Sequence, residues 1–277
     1  MNFPPYWAKG SCQGFACWRW SHRSVADAQS LADDAARKLA DRFKAGDMPE
    51  HGYGYPDRPF RELVIRELKD HSGGLTAVVT RNSQGCLVLN AARVMFVDVD
   101  LPEPGRPGGF LKRLFGKPEP SSGIDQIGNA IARVEMWTRN HPEWAWRVYR
   151  TRAGLRLLAT HALFEPDAEE TESVFEALGA DPLYRRLCRT QKCFRARLTP
   201  KPWRCGIHKK PERWPWLNAK AQSKFESWAS LYENTCRNWA TCELIKTLGS
   251  DSVHPDVKTL VDLHDDATRV GSKVTLA

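Results

Sequence analysis

Apolar and polar positions along this chain recur with two different periods, and the points where the period changes mark out its elements. Between residues 25 and 44, Ala28, Leu31, Ala35, Leu39 and Phe43 recur three or four residues apart, which predicts a helix. Ser24 is placed to cap it and Gly46 to end it. Upstream, Phe15, Trp18 and Trp20 in FACWRWSH have the alternation of core residues on a strand. After the link HGYGYPDRP, three runs over 62–68, 75–80 and 87–100 are predicted strands, the last broken near 90–93. The turns DHSGG and RNSQG suit antiparallel connections.

Residues 101–123 hold five prolines and five glycines and predict a mobile loop. Ile124, Ile127, Ile131 and Val134 then fall on one helical face, opened by the cap pair Ser122 and Asp125 and closed by Pro142. WAWRVYRT and LRLLAT predict a hairpin joined through Arg152-Ala153-Gly154. Helices over 168–178 and 182–189, the strand CFRARLT, a Trp/Pro-rich crossing KPWRCGIHKKPERWPW, a helix over 219–232, the strand TCELIKTL and a helix over 256–268 complete the pattern.

This order of elements predicts an α+β fold, a mainly antiparallel sheet with helices packed on it. Residues 1–55 are expected to form a strand-helix segment lying on a core of residues 56–277. A chain of 277 residues buries a substantial core, and 42% hydrophobic with 27% charged residues excludes the disordered and membrane classes. No run is long enough to span a bilayer and no leader is evident, so the expected location is cytoplasmic. There is no GxGxxG or Walker-type loop, which argues against the commonest nucleotide-binding folds.

Charge changes the picture once it is located. Residues 182–211 contain no Asp or Glu but ten basic residues, more than the net charge of +8 carried by the whole chain. Such a concentration attracts polyanions, because each neutralised phosphate releases condensed counterions. Within it, CFRARLT turns Phe194, Ala196 and Leu198 to one side and Arg195, Arg197 and Thr199 to the other. Arg195, Arg197, Lys201 and Arg204 with Trp203 then offer phosphate forks and an aromatic platform, a candidate surface for single-stranded nucleic acid. A solvated or internally paired cationic face is the alternative, as is a packing role for Trp203, Trp214 and Trp216 beside their prolines.

The strand VMFVDVDLP ends in two carboxylates. Residues two apart on a strand share a face, about 6.6 Å from each other along it, so Asp98 and Asp100 project together. A magnesium or manganese ion suits that pair and would serve phosphoryl transfer. The arginines of the following hairpin, Arg150, Arg152 and Arg156, can bind a phosphate beside the metal or neutralise the aspartates with no metal present.

A strand ending in DxD, then a helix, then a hairpin reading YRTRAGLR resembles the palm of the archaeo-eukaryotic primase and primase-polymerase superfamily. That resemblance implies an RRM-like palm, Asp98 and Asp100 as catalytic metal ligands, and the hairpin as a nucleotide-binding motif acting on nucleoside triphosphates and nucleic acid. Arg156 stands where that family usually carries a histidine. The whole chain is also similar to bacterial proteins sharing FVDVDLP, YRTRAGLRLL and RARLTPKPWR, a likeness that implies no activity.

Three functions are therefore expected in order: a divalent-metal-dependent nucleotide-handling enzyme, a nucleic-acid-binding protein with an inert palm, or a structural protein whose charges pair internally. Of the eight cysteines, Cys188 and Cys193 with Cys205 and His208 offer zinc ligands in two short clips, against ordinary buried thiols. His161 and His208 otherwise read as isolated polar residues, and the GFLKRLFGK stretch as loop packing.

Overall fold

The computed structural model describes residues 1–47, 58–101 and 123–277, with side chains described from 126 in the last of these. The expected loop at 101–123 and the Ser122–Asp125 cap therefore lie almost wholly outside the described residues. An N-terminal hairpin, β1 (Tyr6–Cys12) and β2 (Phe15–Ser21), carries helix α1 (Val25–Lys44) across one face. Ser24 caps α1 by accepting from the Asp27 amide at 3.1 Å. The buried stripe of α1 is Ala28, Ala32, Ala35, Ala36 and Ala40; of the expected stripe Ala28 and Ala35 are buried, Leu39 is half-buried, and Leu31 and Phe43 are corrected to exposed. The cause is close approach: a Cβ on Gly10 would lie 2.2 Å from the Ala32 carbonyl, and only alanine fits beside so near a backbone. Phe15, Trp18 and Trp20 lie on β2 as expected but are half-buried rather than core.

Two four-stranded sheets follow, antiparallel at every pairing. One has the order β3 (Leu63–Lys69), β4 (Leu75–Arg81), β5 (Leu87–Ala91), β9 (Phe194–Arg197). The other has the order β11 (Cys242–Leu248), β7 (Trp146–Thr151), β8 (Gly154–Ala159), β6 (Phe96–Asp100). Edge strands β6 and β9 lie side by side without a shared ladder, and Tyr184 spans the gap: its hydroxyl donates to Phe96 O at 2.8 Å and accepts from the Arg195 amide at 3.3 Å.

Helices α2 (Gly123–Asn140), α3 (Glu169–Leu178), α4 (Pro182–Gln191), α5 (Ala219–Cys236) and α6 (Pro255–Thr268) complete the α+β fold, with a 3-10 turn at Pro202–Cys205. A short parallel pair, β10 (Trp239–Ala240) with β12 (Thr275–Leu276), was not legible in the sequence pattern. The main core gathers Phe96, Trp146, Leu155, Leu157, Phe175 and Phe194, each at most 1% exposed. Each such side chain contributes about 1.5–3 kcal/mol by leaving water. Among the described residues no helix is long and apolar enough to cross a membrane.

Candidate functional site

Asp98 and Asp100 share a face at the end of β6, the first half-buried and the second exposed. Gly154 makes this geometry possible: it faces Asp100 in register, and a Cβ there would lie 1.9 Å from Val99 O. The start of α4 closes the other side. The Asp181 amide donates to Asp98 O at 2.9 Å, while the Asp181 carboxylate caps α4 by accepting from the Tyr184 amide at 2.8 Å. The Asp100 carboxyl is pushed above its usual range by desolvation, then by the nearby charges of Asp98 and Asp181, against the opposing effect of Lys201 and Arg197. Carboxylates and cations thus meet at the junction of the two sheets.

Arg156 sits opposite Asp98 across the ladder, and its Nε lies 3.8 Å from Asp98 Oδ1. That is ion-pair distance and beyond hydrogen-bond distance, so Nε stays without a hydrogen-bond partner among the described residues. The guanidinium is buried. Its Nη1 donates to Arg197 O at 2.8 Å and lies 3.3 Å from His264 Nε2. Arginine has no acceptor, so Nε2 accepts and the neutral ring carries its proton on Nδ1, 3.0 Å from Asp265 Oδ1. Burial first, then the charge of Arg156, lowers the His264 pKa to about 4 despite Asp265. Asp265 also accepts from Tyr149 Oη at 2.8 Å and pairs with Arg147, which donates to Tyr149 Oη at 2.7 Å. The row Asp98, Arg156, Tyr149 is thereby wired to α6.

Cys242 Sγ lies 3.8 Å from His264 Nε2, so Cys242, His264 and Asp265 have the order of a nucleophile, base and orienter. Cys242 is 0% exposed and its thiol is pushed up by burial. Burial thus keeps the sulfur from solvent and in its protonated form. The sequence carried a signal for His264, which falls on the buried stripe Val257, Leu260, Val261, His264, Thr268 of α6.

The expected phosphate clamp does not assemble. Arg150 is adjacent in sequence to Tyr149, which shares the Asp98 face, so it takes the opposite face of the sheet; there its Nη1 donates back to Gly154 O at 3.2 Å. Arg152 is exposed in the turn. Of the three hairpin arginines, Arg156 is the one that meets Asp98.

The basic segment separates into paired and open charges. Arg185 pairs with Glu172, Lys192 with Asp167 at 3.0 Å, and Arg195 with Glu62 at 2.9 Å. Arg195 also lies 3.8 Å over the Phe60 ring, so its guanidinium is engaged by the segment just before β3. Phe194, Ala196 and Leu198 are buried as the alternation required. Arg197 and Lys201 lie near enough for their charges to act on Asp100, and Arg204 is half-buried and near enough for its charge to act on Lys201. Trp203 is 47% exposed, with the Lys201 ammonium 5.5 Å above its ring. It opens onto a cleft whose wall includes Ile207, His208, Lys209 and Lys210. Trp216 instead packs on Phe225 at 4.9 Å, and Trp214 is half-buried.

Cys188 is buried in the main core, Cys193 is buried beside β9, Cys205 joins a separate cluster with Cys236, and His208 is exposed, so among the described residues the two clips do not form a metal-ligand group. His161 is half-buried against Trp144 and accepts from the Ala145 amide at 3.2 Å. Among the described residues no group of three or more His, Cys, Asp or Glu is placed to hold a metal ion. Magnesium bound through Asp98 and Asp100 would need substrate oxygens to complete its shell and would have to compete with Arg156 for Asp98. As placed, these donors do not fit a metal held by the protein alone. Comparison with known proteins finds no family model, no curated protein and no solved structure that matches the chain.

Proposed function

We propose that this chain binds single-stranded nucleic acid along the surface leading from the Trp203 cleft past Lys201 to the carboxylates at the end of β6. One observation carries the reading: a large aromatic ring stands 47% exposed beneath an ammonium group, at the mouth of a cleft bearing Lys209 and Lys210. A base can stack on Trp203 while the lysines follow the backbone phosphates, a mode of recognition indifferent to sequence. Arg197, beside Lys201, extends the cationic path. Arg156 neutralises Asp98 beneath it, which lets a cationic path run close to an acidic strand end. Trp203→Ala is expected to weaken binding of a single-stranded oligonucleotide by about 5- to 150-fold, the 1–3 kcal/mol of one stacked base, with the fold unchanged. Equal affinity in the variant would remove the platform.

A second reading, a primase-like nucleotidyltransferase using magnesium or manganese and nucleoside triphosphates, is favoured by the convergence of Asp98, Asp100 and Asp181 with Arg197 and Lys201. It assigns Asp100 the leading role, because Asp98 is already engaged. Under it, manganese with nucleoside triphosphates stabilises the wild type against heat and leaves Asp100→Asn unmoved. Absence of any shift in the wild type removes this reading and leaves the first untouched.

A further inference from the structure

Arg61, Arg81 and Arg213 line one pocket, walled also by the β4–β5 turn at Asn82 and Ser83 and by Phe225 of α5. Three guanidinium groups in one concavity repel unless something compensates them. Arg81 is compensated in part. It is 7% exposed, pairs with Glu233 and donates Nη1 to Gly85 O at 2.9 Å, but its buried Nε has no partner. Arg61 and Arg213 have no ion pair among the described residues; Glu212, which also lines the pocket, lies 4.0 Å from Lys224 and leaves the three arginines in excess.

Arg61 is also prevented from swinging away. Its guanidinium lies 4.1 Å over the ring of Trp18 on β2, which fixes the planar fork at the pocket. Its affinity for a proton is lowered by burial and then by the charge of Arg213. Like charges brought to one pocket, one of them fixed there and the other exposed at its rim, leave a positive field suited to an anion.

We infer that Arg61 and Arg213, backed by the buried Arg81, hold a phosphate monoester dianion between their guanidinium forks. Two guanidinium forks lining one pocket match the several acceptor oxygens and double charge of that group better than they match a single carboxylate. The inference stands apart from the nucleic-acid reading, since the phosphate can belong to a small molecule or to the end of a strand.

The test is thermal unfolding of the full chain with inorganic phosphate replacing chloride at constant ionic strength, for wild type, Arg213→Ala and Arg213→Lys. Arg213 is exposed, so its replacement leaves the fold intact. At about a hundred times the dissociation constant, phosphate is expected to raise the wild-type midpoint by about 5 °C, Arg213→Ala by nothing, and Arg213→Lys by a fraction. No shift in the wild type, or the same shift in Arg213→Ala, overturns the site whether or not any oligonucleotide binds. A second arm compares 5′-phosphorylated and 5′-hydroxyl oligonucleotides. If the phosphate tightens binding about tenfold in the wild type alone, the pocket takes a strand end. If inorganic phosphate binds but the terminal phosphate adds nothing, the ligand is a small phosphate monoester.

Discussion

Asp98 on β6 stands directly opposite Arg156 on β8, and the two form the outermost link of a buried polar chain that passes through His264 and Asp265 to Tyr149 and Arg147. The first aspartate of the DVD motif is thus matched to an arginine that the core has already enclosed. The second, Asp100, lies outside that pairing and feels instead the charges of Lys201 and Arg197.

Removing Arg156 strands Asp98, whose side chain is 26% exposed, and takes away the donor to Arg197 O. Arg156→Met is expected to lose about 3–5 kcal/mol of stability in urea unfolding, and adding Asp98→Asn should recover part of the loss. A double variant no more stable than the single one would mean that the charge on Asp98 does not need Arg156.

His264 gives stability a pH dependence of definite sign. Its folded pKa, about 4, lies below the unfolded value, so between pH 4 and 6.5 the unfolded chain binds the extra proton and stability falls as pH falls. The contribution is fully present above about pH 6.5 and on the order of 3 kcal/mol smaller at pH 4. His161, lowered by burial, adds to the same trend. In His264→Gln the stability-against-pH curve should lose much of its slope in this window; an unchanged slope would place the titration elsewhere.

Tyr184 is the hinge pin between the sheets. Tyr184→Phe keeps the ring in the core but leaves Phe96 O and the Arg195 amide without the hydroxyl that joins them. A loss of about 1–3 kcal/mol is expected in chemical denaturation, the cost of unpaired buried backbone groups. A neutral substitution would show that the strands hold together without the bridge.

Much of the fold was legible because the two periods are clear. The helix over 25–44 and the strands around 75–80 and 87–100 follow from spacing alone, and the break near 90–93 is where β5 ends before β6 begins. What spacing cannot supply is the identity of the group covering a face. Arg195 points away from the core as its alternation required, yet Glu62 and Phe60, more than a hundred residues earlier in the chain, meet it there. Arg150 likewise looked like a partner of the aspartates until the register placed it on the other face. Asp181 had no role in the sequence reading; the structure makes it the cap of α4, and the bond from its amide to Asp98 O brings it to the acidic strand end.

The central claim, that the Trp203 surface binds single-stranded nucleic acid, is tested most directly by the salt dependence of oligonucleotide binding in wild type and in a Lys209→Ala, Lys210→Ala variant. Wild-type affinity should fall linearly on a logarithmic salt scale, and losing two phosphate contacts should flatten the slope by about 1.4. No binding at low salt, or a slope indifferent to both lysines, would contradict it.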